Sequence, residues 1–150
     1  MGFFDKLKEM ASSAQSAIEG EVSRFKHRDE LDALVGASVM IAAADGKITG
    51  DEKQKLLGFL QNSALTKAYS VDQIVKAFGE HSARFDFDVE VGQSEVLRIV
   101  GKQRANVETA RAIARLAVMI AKADGNFDES EKVATSRIVT ELGLNPSEFL

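Results

Sequence analysis

The sequence predicts an all-α protein, a bundle of about six to eight helices. Three observations carry that prediction. The 150 residues include a single proline, Pro146, and are rich in helix formers. Apolar residues recur at three- and four-residue spacing along nearly the whole chain. A helix, an acidic turn and a second helix occur twice, which suggests an internal pseudo-two-fold repeat of helical hairpins.

The elements follow in order. Phe3, Phe4, Leu7, Met10, Ala14, Ala17, Ile18, Val22 and Phe25 mark one face of an amphipathic N-terminal helix. We expect it to span 1–28 and to pack on a domain spanning 29–150. Asp29 is expected to cap the next helix, with Leu31, Leu34, Val35, Val39 and Ala42 facing inward. Thr49 with Glu52 forms a capping box before Leu56, Leu57 and Leu60. Ser70 with Gln73 opens another helix, which carries Ile74, Val75, Phe78 and Phe85. The alternation Phe85-Asp-Phe-Asp-Val-Glu-Val91 has the period of a strand, but no partner strand is evident. A turn with Asp86 or Asp88 capping the next helix fits better. Asn106 caps a helix with Val107, Ala110, Ile113, Ala114, Ala117, Val118 and Ala121 on its apolar face. The last long helix starts near Glu129, carries Val133, Ile138, Val139 and Leu142, and stops at Gly143. Asn145-Pro146 opens a final short turn.

Composition narrows the function. The net charge is -4, so the chain lacks the basic balance of a nucleic-acid binder. One basic cluster, Arg24, Lys26, His27 and Arg28, reads first as a solvated helix face and second as a site for anionic lipid or an acidic partner. With no cysteine, thiol catalysis and thiolate metal sites are excluded. With two histidines, His27 and His81, a bound metal would be held by oxygen, which suits Ca²⁺, Mg²⁺ or Mn²⁺. His81 is expected on a helix surface. No apolar run is long enough to cross a membrane, and no signal peptide is evident, so a cytoplasmic protein is expected; no spare apolar helix face is obvious, so a monomer is expected. No nucleophile–base pair, phosphate loop or cofactor motif is present, so no enzymatic activity is expected.

The repeat is the organising fact. A shift of 79 residues lays VMIAAADGKIT, at 39–49, on VMIAKADGNFD, at 118–128, within repeats at 31–62 and 107–142. Nine of fifteen positions from Val39 to Lys53 are identical to their counterparts. Both turns read Asp-Gly-x-apolar-x-x-x-Glu, the second half of an EF-hand loop. The first half is absent: Ile41, Ala43, Ile120 and Lys122 stand where acidic ligands would be. Much of the pattern needs no ligand. Glycine closes a helix, Ile48 and Phe127 plug the core, and Thr49 and Asp128 cap the following helices for about 1 kcal/mol each. Asp45 and Asp124 are different. Each puts a carboxylate in the last turn of a helix, where the helix dipole disfavours it by roughly 0.3–1 kcal/mol. Either a cation or an Asx-type bond to a backbone N–H would compensate. If the turns meet, Asp45, Glu52, Asp124, Asp128 and Glu131 form one candidate metal site, with Asp51 and Glu129 at its edge.

These two turns, with Glu52-Lys53 and Glu131-Lys132 behind them, resemble those of the TerB family of tellurite-resistance proteins. The FFDKLKEM start and the KADGNFDESEK segment are similar to that family too, and the resemblance covers essentially the whole chain. It implies an all-α domain encoded among tellurite-resistance and stress-response genes, with no established enzymatic activity. It implies metal binding at the positions of Asp45, Glu52, Asp124 and Glu131. It also implies association with the integral membrane protein TerC, and so a peripheral place at the inner membrane. Two functions stay open: a divalent-cation-binding sensor or adaptor module, and a constitutive protein–protein adaptor whose turns are purely structural. Phe3, Phe4 and Leu7 beside Lys6 and Lys8 would suit a membrane interface, though docking on the chain's own core is the simpler use for them.

Overall fold

A computed structural model describes residues 25, 27–46, 48–122 and 128–150. The predicted N-terminal helix, except for Phe25 and the residues from His27 onward, therefore lies outside the described residues. The described residues form a bundle of six α-helices joined by short 3₁₀ turns, with no strand among them. We number the helices α1 (Arg28–Ala42), α2 (Gly50–Gln61), α3 (Val71–Phe87), α4 (Val89–Gly101), α5 (Val107–Lys122) and α6 (Glu129–Glu141). Short 3₁₀ turns follow α2 at Ala64–Lys67, α4 at Lys102–Ala105 and α6 at Pro146–Glu148.

Helix α1 is the axis. It packs against α3, α4, α5 and α6, and α2 leans on α3 from outside. This explains why α1 is apolar nearly all round: Leu31, Ala33, Val35, Ala37, Val39 and Met40 are fully enclosed. Ile74, Ala77 and Phe78 of α3, Val96 and Val100 of α4, Ile113 and Ala117 of α5, and Ile138 and Val139 of α6 close round it. Phe25 is buried at 5% exposure and joins this core. The two halves of the sequence repeat are packed differently. Helix α6 lies against α5, whereas α2 lies against α3 instead of folding back on α1. The helix contacts among the described residues do not confirm the repeat as a symmetry of the fold.

Most predicted helix starts are where the capping residues put them. Ser70 accepts from Gln73 N at 3.1 Å, and Gln73 Oε1 accepts from Ser70 N at 2.9 Å. Asn106 Oδ1 accepts from Thr109 N at 3.1 Å. Asp88 separates α3 from α4, with φ -165° and ψ 126°, and its Oδ1 accepts from Glu90 N at 2.8 Å and Val91 N at 3.2 Å. The alternating segment is thus a helix–cap–helix corner. Phe85 is buried, and Gly92 lets α4 approach its ring: a Cβ at Gly92 would sit 2.6 Å from two ring atoms. Gly143 ends α6 with φ 79°, the left-handed conformation that glycine adopts without a Cβ penalty.

Several expectations need correction. Helix α1 is capped by His27, and Asp29 sits in its first turn. The apolar stripes were drawn too wide: Val75, Val107 and Val133 are exposed. His81 is 1% exposed and not on the surface. Its ring fits over Gly36 of α1, where a Cβ would come within 3.0 Å of Cε1. Its Nε2 faces Asp32 Oδ1 at 3.7 Å, and its Nδ1 lies 3.5 Å from Arg84 Nη1. A polar ring can be buried there because glycine makes room and charged neighbours meet both nitrogens. The basic cluster is partly internal in its bonding as well. Arg28 pairs with Asp32 at 3.7 Å and with Glu80 at 3.6 Å.

Candidate functional site: the acidic turns

The first turn is built from the end of α1. Ala43 N donates to Val39 O at 2.9 Å, Ala44 N to Ile41 O at 3.1 Å, and Gly46 N to Ala43 O at 2.8 Å. These bonds satisfy carbonyls that the helix end would leave open. Gly46 takes φ 101°, which favours glycine, and reverses the chain. Ile48 then enters the core at 6% exposure. Thr49 caps α2: its Oγ1 accepts from Glu52 N at 3.1 Å, and Glu52 Oε1 accepts from Thr49 N at 2.9 Å. Lys53, one residue on, pairs with Asp86 and ties α2 to the end of α3. Asp45 is exposed, and the last turn of α1 contains no basic residue.

The second turn is described only on its far side. Asp128 caps α6, with Oδ1 accepting from Glu131 N at 2.9 Å. Residues 123–127, including Asp124 and Phe127, lie outside the described residues. The first turn nonetheless lies near the start of α6. Ala44 forms one wall of a hollow of about 300 Å³ whose other walls include Glu129, Ser130, Val133, Ala134 and Arg137 of α6. Gln93 of α4 completes it, and its Oε1 accepts from Arg137 Nη1 at 3.4 Å.

Of the predicted metal ligands, Asp45 and Glu52 belong to one turn, and Asp128 and Glu131 to the other. Among the described residues, no three carboxylate or imidazole groups converge as a metal site. Asp45, Glu52, Asp128 and Glu131 therefore do not make one by themselves. The donor set is all oxygen, in keeping with a hard cation. Glu52 and Asp128 already accept backbone N–H bonds as caps.

One buried polar group that the sequence reading missed lies at the opposite end of α1 from the acidic turn. Glu30 of α1 is 7% exposed, close to Tyr69, whose Oη donates to His27 O at 2.7 Å. Burial, then the charges of Glu30 and Asp32, push the Tyr69 phenol well above its ordinary range. The signal for this was weak: Glu30 reads as an ordinary first-turn acid, and only the packing of the loop at Tyr69 encloses it.

The described residues thus define a small all-α helical bundle with acidic residues beside its helix ends. The family model described as "Tellurite resistance protein TerB" matches residues 31–150, and the chain belongs to the TerB family. It is similar to the tellurium resistance protein TerB of Alcaligenes sp., with 29% identity over 118 residues, covering 79% of this chain and 97% of that protein. No solved structure matches it. No helix among the described residues is long and apolar enough to cross a membrane.

Proposed function

We propose that this TerB-family protein is a non-enzymatic tellurite-resistance module that takes up a divalent cation between its two acidic turns and works through protein partners. One observation carries the reading. Asp45 is an exposed carboxylate in the turn just past the end of α1, not in the last helical turn as the sequence suggested, and its neighbour Ala44 shares a hollow with Glu129 in the acidic first turn of α6. A cation there would offset both the helix-end carbonyls and the neighbouring carboxylates. Asp45, Asp124 and Glu131 would be its principal ligands, with Glu52 and Asp128 sharing their caps. Ca²⁺, Mg²⁺ and Mn²⁺ are the candidates by donor chemistry. The absence of cysteine means the chain cannot reduce tellurite with its own thiols. Its role in resistance is therefore indirect, as a cytoplasmic sensor or scaffold. A membrane-embedded partner such as TerC would place it peripherally at the inner membrane.

A second reading has its own support. The reciprocal Thr49–Glu52 bonds and the Asp128 cap are complete uses for those side chains. On that reading the turns are structural, and the protein is a constitutive adaptor. Titration of metal-free protein with Ca²⁺ and Mg²⁺, followed by backbone amide shifts, separates the two. Saturable shifts at Gly46 and Gly125 together, lost in both Asp45→Ala and Asp124→Ala, are expected for the cation module. Silence at both glycines up to millimolar cation leaves the structural reading.

A further inference from the structure

Phe87 is the most exposed large apolar side chain in the described residues, at 82%. It ends α3, and Val91, 46% exposed, lies four residues on, across the Asp88 corner. Phe85 and Val89, on either side, turn inward to the core. Phe87 also borders a hollow of about 320 Å³. The buried side chains of Ala43, Ile48 and Phe85 form its apolar floor, and Asp86 and Asp88 stand at its edge.

Charge decides what fits. Asp45, Asp86, Asp88 and Glu90 are all exposed around the patch. Lys53 pairs with Asp86, and no basic side chain lines the hollow among the described residues, so its exposed rim is acidic in character. A second copy of the chain would bring the same acids face to face. An anionic membrane would be repelled by them in the same way. A peptide segment with an apolar side chain flanked by lysine or arginine satisfies both the hollow and its rim.

We propose that the α3–α4 corner, centred on Phe87 and the hollow beside it, is a docking surface for a basic-flanked apolar segment of a partner protein. The aromatic anchor supplies affinity, and the acidic rim supplies selectivity and salt dependence. This proposal does not require a cation in the turns.

A displayed library of short peptides tests it. Each peptide has an apolar centre and flanks randomised between basic and acidic residues. Selection uses the full chain in EDTA, which keeps the result separate from cation uptake. The expected winners carry Lys or Arg flanks and shift the amides of Phe87 and Val91. They lose at least about tenfold in affinity on Phe87→Ser. They also weaken on Asp86→Asn and with added salt, while thermal melting of both variants stays close to that of the parent. The proposal is overturned if no peptide is enriched, if acidic flanks win, or if Phe87→Ser leaves binding intact. Sedimentation showing a dimer that Phe87→Ser dissolves would assign the patch to a second copy instead. Binding to phosphatidylglycerol vesicles that the same variant abolishes would assign it to lipid.

Discussion

Tyr69 is the only tyrosine, and the chain has no tryptophan, so its ionisation can be watched without interference. Its phenol is held neutral by burial and by the charges of Glu30 and Asp32. A folded-state value raised above the unfolded one, near ~10, gives a definite sign. The stabilising contribution is complete below that pH and is lost as pH rises above it. Phenolate absorption is therefore expected to appear only together with loss of helical circular dichroism in alkali. Phenolate at pH ~10 with the helix signal intact would show that the phenol is not enclosed. Glycines give a second test at this scale. Gly92→Ala forces a methyl group against the Phe85 ring and is expected to cost about 1–3 kcal/mol. Gly50→Ala meets nothing within 4 Å and is expected to be neutral or to stabilise by up to about 1 kcal/mol. Denaturant unfolding of both variants measures the contrast. Nothing in the local spelling of Gly36 or Gly92 says which neighbour needs the space. For Gly36 it is His81, and that is why the histidine was misplaced when read from sequence.

Helices begin where short polar side chains can take up free N–H groups, and this made the elements legible. Thr49, Ser70, Asn106 and Asp128 each do so with a local bond, three residues long, that the spelling alone contains. His27 does not belong to that group of residues, so the start of α1 was read two residues late. The Phe85–Val91 segment shows the same rule overriding a period-two pattern: the Asp88 cap decides, and the exposed Phe87 is what the alternation was recording. Thr49→Ala is expected to lower stability by about 1 kcal/mol, and Thr49→Asp to restore most of it. Thermal melts of the pair provide the check. A loss in Thr49→Ala without recovery in Thr49→Asp would mean that the threonine acts through packing and not as a cap. The acidic turns were legible as turns for the same reason. Whether their carboxylates converge was not, because convergence depends on how α6 docks beside the end of α1, a relation between residues some eighty positions apart.

The bundle is organised around α1, and the cost of disturbing it should fall off with distance from that axis. Ile113→Ala on α5, fully enclosed, is expected to cost about 2–5 kcal/mol. Val133→Ala on α6, 53% exposed, is expected to stay within about 0.5 kcal/mol. Equal losses at both positions by denaturant unfolding would contradict this packing. The helix count and the core positions of α1 could be read from periodicity. Its central place could not, since an amphipathic edge helix and an apolar axis differ only in how many neighbours eventually arrive. Those neighbours arrive late. Helix α1 leaves the ribosome before α5 and α6, which help to enclose it. At about 5–20 residues per second, a strongly apolar segment waits several seconds for the chain that will enclose it. A messenger cut short before α5 would yield a product unable to cover its own axis. Such truncated chains should be aggregation-prone substrates for chaperones and proteases, because the apolar axis is covered only after α5 and α6 have been made.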